Sequence, residues 1–431
     1  MPTQLALHIQ QTPLHDTHEH LQREPNWLDQ GPDFLQDVFG NYSPHDLVSA
    51  GASPEAVQRA VDPGDPDLAA RFDGIREAWE AIQLTGYGEA NRILVEQVYG
   101  LEGWSAADLE KAQARLREWR QPGGRLRLLR DVGNLDHVQI DDFRRECDPD
   151  DSGLEFFLYD LSWAQFCSGQ PDFAALETET GIAVTTLADL DEAMVATFAR
   201  HGGCAVAVKA QHAYNRTLAW RERAPHDVAI ALQDTLRLGA EVSEETRLCL
   251  GDWCWARGVE LATEHNLPFK IHTGYYAGND RMPIDFIKGG NLCPLLARYP
   301  DCRFVLMHIA YPYCDELVAL AKHYRNVWVD LCWAWSIDPF SAREFVRRFI
   351  HTAPINKLFA FGGDTGWPTS AVAYAIQARN WLDRALQAEV DEGLLTERQA
   401  MDVATRLMSL NQENCFDLAG TRANIVAAGA A

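Results

Sequence analysis

Basic residues are scarce in this sequence of 431 residues. Lysine and arginine number 38 against 62 aspartates and glutamates, so the net charge is −24 at pH 7. Nucleic acids and anionic membrane surfaces attract positive charge, and so acidic a chain argues against both as partners. We therefore expect a small molecule as its partner. Self-association into a homo-oligomer is compatible with this charge.

Signals for membrane insertion and export are also lacking. No stretch is long and apolar enough to span a bilayer, and the first residues show neither the basic start nor the apolar run of a signal peptide. The ten cysteines form no Cys-x-x-Cys pair and are scattered through apolar segments. They indicate free, non-catalytic thiols in a reducing compartment. We expect a cytoplasmic protein.

The sequence does contain a pair of histidines near its beginning, His18 and His20, in the run His-Asp-Thr-His-Glu-His over 15–20. In a β-strand, side chains two apart point to the same face, so the two imidazoles are expected to lie together. Two neutral imidazoles at one strand end make half of a metal site. Taken alone, a polar loop rich in histidine fits the run equally well.

Three later apolar runs close on a metal ligand or proton carrier. They are 268–274, which contains His272; 303–308, which ends in His308; and 357–364, which ends in Asp364. A short apolar run bounded by turn residues is typical of a buried parallel strand. In a (β/α)₈ barrel the chemistry lies at the C-terminal ends of the strands. The pattern predicts an α/β protein with that TIM-barrel fold.

The order of the segments gives the predicted organisation. The barrel is predicted to comprise residues 1–20 and 126–420. Its first strand contains His18 and His20, which form a His-x-His (HxH) motif, and further strands at 136–140, 154–158, 204–209 and 327–330 alternate with helices. Residues 21–125 have helical patterns, at 72–82 and 106–119, and no strong strand. They are predicted to be a helical insertion after strand 1 that covers the barrel mouth. Residues 421–431 are a tail.

The ordered set of side chains at strand ends resembles the amidohydrolase superfamily of metal-dependent (β/α)₈ enzymes. The set is HxH after the first strand, histidines after the fifth and sixth, and an aspartate after the eighth. The resemblance is to the amidohydrolase-related branch that includes uronate isomerase-like proteins. It covers about 15–416 and includes the insertion, the run 208–216 and the ending 410–416.

This resemblance implies that His18, His20, His272 and Asp364 bind metal. Three nitrogens and an oxygen suit Zn²⁺, or another divalent ion such as Mn²⁺. Asp364 is also expected to be a catalytic acid and base, with a helix cap as the structural alternative. His308 is a second-metal ligand in binuclear relatives and a catalytic contact to substrate in mononuclear ones. One or two ions are therefore compatible with the sequence.

Lys209 falls where some relatives hold a carboxylated lysine that bridges two metals. An unpaired ammonium at the end of a buried strand is costly, so Lys209 faces a carboxylate, binds a substrate anion, carries a carbamate or is solvated. Arg216 and Tyr214 are candidates to bind a substrate carboxylate, Arg216 through its bidentate fork. Trp367 is one of several aromatic residues that wall a pocket or pack in the core.

The leading hypothesis is a metal-dependent hydrolase whose activated water attacks a small carboxylate-bearing amide, lactone or related substrate. The alternative is an isomerase of sugar acids similar to uronate isomerase. A non-oxidative decarboxylase and an inactive ligand-binding barrel are further alternatives, because the fold supports all of these. The insertion and the loops 275–281 and 333–339 are expected to decide the substrate.

Overall fold

The computed structural model describes residues 2–277 and 283–429. Its strands are β1 (Leu14–Glu19), β2 (Leu135–Ile140), β3 (Phe157–Ser162), β4 (Ala205–Ala210), β5 (Phe269–Ile271), β6 (Phe304–Leu306), β7 (Val327–Asp330) and β8 (Leu358–Phe359). They pair in parallel in the order of the chain. Backbone bonds from Thr17 N to Phe361 O and from Asp364 N to His18 O join the last strand to the first. The predicted (β/α)₈ barrel is confirmed.

The strands form where apolar residues are buried on both faces, as in β4, whose six residues are all buried. The third strand begins later than predicted. Residues 154–156 belong to a turn in which Phe156 N and Phe157 N both donate to Gly153 O. The strand then runs through a buried aspartate, Asp160. Because a charged residue interrupts the apolar pattern, the sequence placed the strand too early.

A short helix, α1 (Gln4–Gln11), precedes β1, and a long helical segment separates β1 from β2. The helices of that segment are α2 (Glu24–Gln30), α3 (Phe34–Phe39), α4 (Ser43–Ser49), α5 (Pro54–Ala60), α6 (Leu68–Asp73), α7 (Arg76–Ile82), α8 (Gly86–Ile93), α9 (Ala106–Trp119) and α10 (Gly124–Leu126). Ser105 caps α9 with a reciprocal bond to Asp108. Two π-helical segments, Leu94–Val98 and Arg127–Val132, continue α8 and α10.

Helices also follow β3 to β8, whereas the described residues 141–156 between β2 and β3 contain no helix. They are α11 (Ala164–Cys167), α12 (Phe173–Thr180), α13 (Leu187–His201), α14 (Pro225–Leu238), α15 (Glu244–Glu264), α16 (Cys293–Arg298), α17 (Cys314–His323), α18 (Ala334–Ile337), α19 (Pro339–Thr352), α20 (Pro368–Asp391), α21 (Glu397–Thr405), α22 (Asn411–Cys415) and α23 (Leu418–Gly429). Residues 421–429, predicted as a tail, belong to α23. Within the described ranges, no helix combines the length and the apolar character needed to cross a membrane.

The C-terminal helices pack on the barrel strands. A small apolar cluster joins β3, β4, β6 and β8 to α22 and α23 and is separate from the larger core. Phe416 belongs to this cluster, and its ring lies 5.3 Å from Lys270 Nζ. The barrel interior is therefore apolar where the C-terminal helices pack and becomes charged at Lys270, which borders this cluster.

Lys270 forms hydrogen bonds that connect three strands. Its Nζ donates to both carboxylate oxygens of Asp160 at 2.8 Å and to Thr17 O at 2.7 Å. All three residues are fully buried. Burial raises the pKa of Asp160 to about 6, although the attraction of Lys270 opposes this rise. The pair links β1, β3 and β5 directly beneath the strand ends.

The Lys270→Met variant is expected to leave the Asp160 carboxyl buried without its partner. Breaking one side of a buried ion pair costs about 3–5 kcal/mol, and urea denaturation should show a free energy of unfolding lower by that amount. The double variant Asp160→Leu/Lys270→Met removes both charges and should recover part of the loss. A double variant no more stable than the single one would contradict this explanation.

Candidate active site

Two histidines and an aspartate meet where β1 and β8 end. The Nε2 atoms of His18 and His20 lie 3.3 Å apart, and Asp364 Oδ1 lies 3.3 Å from the first and 3.1 Å from the second. Ligands of one tetrahedral zinc ion, at ordinary bond lengths, are roughly 3.3–3.5 Å apart. These three side chains therefore fit a divalent metal ion, as expected from the HxH pattern.

The other nitrogen of each imidazole is turned away from this cluster. His20 Nδ1 lies 2.6 Å from Asp141 O, and a carbonyl only accepts, so Nδ1 carries a proton and Nε2 is the nitrogen that faces Asp364. A hydrogen bond of this kind fixes the orientation of a metal-binding histidine. His18 Nδ1 lies 3.8 Å from Asp160 Oδ2, which is beyond the range of a hydrogen bond.

The protonation states of the cluster suit a cation. Burial alone would raise the pKa of the Asp364 carboxyl, but His18 and His20 hold it well below its usual value. Burial, reinforced by the nearby Lys209 charge, lowers the pKa of His18 well below its usual value. At neutral pH the aspartate is thus ionised and His18 is neutral, which are the forms that bind metal.

His308 presents a second nitrogen to the same aspartate. Its Nδ1 donates to Cys332 O at 3.0 Å, while its Nε2 has no hydrogen-bond partner among the described residues and lies 3.7 Å from Asp364 Oδ2. Burial lowers the pKa of His308 to about 4, so the ring is neutral at pH 7. Each oxygen of the Asp364 carboxylate therefore faces at least one imidazole nitrogen.

His272 lies beside His308, with ring centroids 4.4 Å apart. Its Nε2 is 3.0 Å from Tyr275 O, and it is not part of the three-residue groups whose ligand atoms lie within 4.8 Å of one another. The structure brings His272 to the site predicted for it, but with this nitrogen turned to the main chain. Its role as a metal ligand stays a prediction.

Lys209, the penultimate residue of β4, is 1% exposed, and its Nζ lies 3.4 Å from His18 Nε2. Over the described ranges, no carboxylate oxygen lies within 4.0 Å of that nitrogen. A buried ammonium without a counter-ion is unfavourable. The surroundings of Lys209 therefore suit a carbamate, which would remove the buried positive charge.

Among the residues predicted to bind substrate, the structure places Tyr214 in the pocket and Arg216 away from its described lining. Tyr214 lines the pocket, with its ring 4.7 Å from that of His272. Arg216 is fully buried against Asp252 at 2.5 Å and also donates to main-chain carbonyls, among them Cys167 O. The structure does not bring the Arg216 guanidinium into the described pocket lining, and its contact with a substrate carboxylate stays a prediction.

Trp367, another predicted substrate contact, directly precedes α20 and is half-buried. Its Nε1 is buried without a hydrogen-bond partner. The residue is not part of the pocket lining. Its contact with substrate stays a prediction.

The cluster opens into a cavity of about 460 Å³. The lining residues are His20, Asn41, Tyr42, Phe143, Ala164, Lys209, Gln211, Tyr214, Asn215, His272, Ala277 and Asp364. On the described lining, Lys209 is the only residue with an ammonium or guanidinium group. Residues 278–281 of the loop 275–281, which we expected to help decide the substrate, lie outside the described part of the chain.

The loops after β6, β7 and β8 hold strained residues. His308, Trp333 and Asp364 have φ angles of 62°, 61° and 58°, which is the left-handed region that side chains disfavour. Such positions cost about 1–3 kcal/mol each and cluster at functional sites. The packing around the cluster must compensate for this strain, because Asp364 belongs to the cluster and His308 lies 3.7 Å from it.

The helical segment after β1 contributes residues that the sequence did not reveal. Tyr42 OH donates to Asp364 O, and Asn41 Oδ1 accepts from Gly366 N at 3.1 Å. They hold the loop that carries the aspartate, and no pattern in the sequence marks them. Asp160 was also missed, although a carboxylate inside the apolar run 156–162 is a recognisable signal.

Comparison with solved structures shows similarity along nearly the whole chain. The uronate isomerase of Thermotoga maritima superposes with a TM-score of 0.78 at 12% identity, covering 96% of this chain and 98% of that one. The glucuronate isomerase of Caulobacter crescentus gives 0.76 at 17% identity, covering 96% and 93%. At these identities the likeness shows the fold alone.

Sequence comparison finds a relative among curated proteins and a matching family. Protein fluG of Emericella nidulans is 29% identical over 177 residues, or 39% of this chain, and the match spans only 20% of that protein's length. The model of the family described as Amidohydrolase matches residues 144–397, more than half of the chain. With the barrel and its strand-end residues, this match shows that the chain belongs to the amidohydrolase family.

Proposed function

We propose that the protein is a metal-dependent hydrolase of small molecules with an amide, lactone or related carbonyl group. The observation that carries the proposal is the environment of Lys209, a buried amine whose only side-chain hydrogen-bond partner within residues 2–277 and 283–429 is a nitrogen of the cluster. A carbamate on Lys209 would give the site an anionic ligand between two metal ions. That ligand set suits hydrolysis by an activated water.

Divalent ions bound there would lower the pKa of a water molecule and polarise the substrate carbonyl. His18, His20 and Asp364 would hold one ion, and His308 Nε2 is free to hold another. The residues present fit this role, because His18 and His308 are neutral and the Asp364 carboxylate is ionised at pH 7.

Asp364 is the residue that would accept and return the proton. Asp364 is ionised, lies at the pocket wall and can accept a proton from the attacking water. It can return that proton to the leaving group. Phe143, Ala164 and Ala277 give part of the pocket an apolar wall, and Tyr214 presents an aromatic face for positioning.

The second candidate is an isomerase of sugar acids, which the likeness to two uronate isomerases over nearly their full lengths favours. Such an enzyme must hold the carboxylate of an open-chain uronate. The sequence offered Arg216 and Lys209 for this task, but Arg216 is paired with Asp252. Lys209 would then have to act as a cation, and that requirement separates the two functions.

Removal of metal is the first test. Chelator-treated protein should be inactive, and Zn²⁺ or Mn²⁺ should restore hydrolysis in a panel of N-acyl amides and lactones. The same panel includes glucuronate and galacturonate, assayed for the keto product. Full activity without metal would contradict a metal-dependent enzyme, and a keto product without hydrolysis of the other compounds would decide for the isomerase.

The Asp364→Asn variant keeps the size of the side chain but cannot accept the proton. We expect hydrolytic activity to fall by about 10²–10⁴-fold, the usual contribution of general acid–base catalysis, with folding unchanged by circular dichroism. Asp301→Asn is the matched control, since Asp301 is exposed and paired with Arg325. Equal activities of the two variants would exclude Asp364 from the chemistry.

Variants of Lys209 distinguish a carbamate from a cation. Lys209→Ala should hold one metal ion fewer per chain than the unchanged protein, and added acetate or propionate should restore it by supplying a carboxylate. Lys209→Arg keeps the positive charge but cannot be carboxylated, so it should lose the ion too. Lys209→Arg with full metal content and activity would show that Lys209 acts as a cation. A carbamate signal in ¹³C NMR after labelling with bicarbonate is the direct check.

A further inference from the structure

Phe143 places an exposed aromatic ring at the wall of the cavity, beside the metal-ligand cluster. The residue lies in the loop between β2 and β3, and its ring is stacked on that of His20, with centroids 4.5 Å apart and planes 9° apart. One face of the Phe143 ring is therefore covered by an imidazole of the cluster. The residue lines the cavity and is nevertheless 59% exposed, which leaves the opposite face of the ring open to a ligand.

The backbone at Phe143 is strained, which makes the position an unusual one for an aromatic residue. Its φ angle is 64°, in the left-handed region, where a bulky side chain is an outlier and glycine, asparagine or aspartate is the usual choice. Burial of the ring does not explain the strain, because the residue is mostly exposed. Strained positions of this kind cluster at ligand sites, and this one holds an apolar ring next to the cluster.

Hydrogen bonds on both sides of Phe143 fix the loop that carries the ring. Phe143 N donates to Asp141 Oδ1 at 2.9 Å, and Ser162 N of β3 donates to Arg144 O at 3.0 Å. Asp141 O in turn accepts from His20 Nδ1 at 2.6 Å. The orientation of the histidine and the position of the aromatic ring on it therefore depend on the same residue, Asp141.

The cavity next to the open face has the size and the lining for a flat apolar group. Its volume of about 460 Å³ lies in the range of ordinary ligand pockets. Ala164, Ala277 and Tyr214 line it together with Phe143. Aromatic rings pack at centroid distances of about 4.5–7 Å, so a ring stacked on Phe143 would continue the stack that begins with His20. Such a ring would lie close to the cluster.

We propose that Phe143 determines specificity by stacking on a flat apolar ring of the substrate, next to the reacting carbonyl. The substrate class is then an aroyl amide or an aromatic lactone, in preference to a compound with a small alkyl group. The part of this inference that concerns the reaction rests on the proposed function. The contact between the two rings can be tested by binding alone.

The test uses zinc-loaded full-length protein and two hydroxamates, which chelate a metal ion through the same group but differ in the presence of a ring. Isothermal titration calorimetry should show tighter binding of benzohydroxamate than of acetohydroxamate. Phe143→Ala should weaken the binding of benzohydroxamate by about 3–10-fold, the loss expected for one aromatic pair. The binding of acetohydroxamate should stay nearly the same. Phe143→Tyr keeps the ring and should retain the preference.

Two further variants separate stacking from other effects, with all affinities compared at equal zinc per chain. Phe143→Leu keeps an apolar cover over His20 but has no aromatic face, so it should lose the preference as Phe143→Ala does. Phe340→Ala is the matched control, because Phe340 is also exposed and lines a different cavity. It should keep the preference of the unchanged protein.

An equal loss of both hydroxamates in Phe143→Ala would show that the residue only supports His20, and would overturn the inference. Unchanged protein that does not prefer benzohydroxamate would overturn it too. The outcome is separate from that of the hydrolase proposal. A ring preference that depends on Phe143, in a protein that hydrolyses none of the amides, would support this inference and contradict hydrolysis. Hydrolysis without any preference for a ring, in the unchanged protein and in Phe143→Ala alike, would do the reverse.

Discussion

The ion pair between Lys270 and Asp160 is the constraint on which the barrel mouth depends. Ionised groups inside a barrel need partners, and this pair satisfies both charges while bonding β1, β3 and β5. Asp160 also faces His18 Nδ1. The same carboxylate therefore pairs the buried lysine and lies 3.8 Å from the His18 ring, beyond the range of a hydrogen bond.

Buried acids hold the loop after β8 in a similar way. Glu19 accepts bonds from the Thr365 main chain and hydroxyl, and Asp16 accepts from Gly363 N. Burial raises the pKa of Asp16 to about 7 and that of Glu19 well above its usual value. A Cβ on Gly363 would lie 2.0 Å from Glu19 Oε1, so glycine is required there. The strained Asp364 is fixed by these neighbours.

The sequence predicted the barrel and the strand-end histidines because these residues sit next to apolar runs in the chain. It did not reveal the partner of Arg216, since Asp252 lies on α15 and only the fold brings the two together. The contacts of Asn41 and Tyr42 with the loop after β8 are hidden for the same reason. The third strand was misplaced because Asp160, which the barrel needs as a charge partner, interrupts its apolar pattern.

We propose that divalent metal ions bind at the strand ends and that a carboxylated Lys209 serves as one of their ligands. The most direct measurement is a crystal structure of zinc-loaded protein with anomalous difference density at the zinc absorption edge. We predict one peak among His18, His20 and Asp364, a second beside His308, and density for a carboxyl group on Lys209 Nζ between the peaks. A bare Lys209 amine, or no peak at the strand ends, would contradict the account.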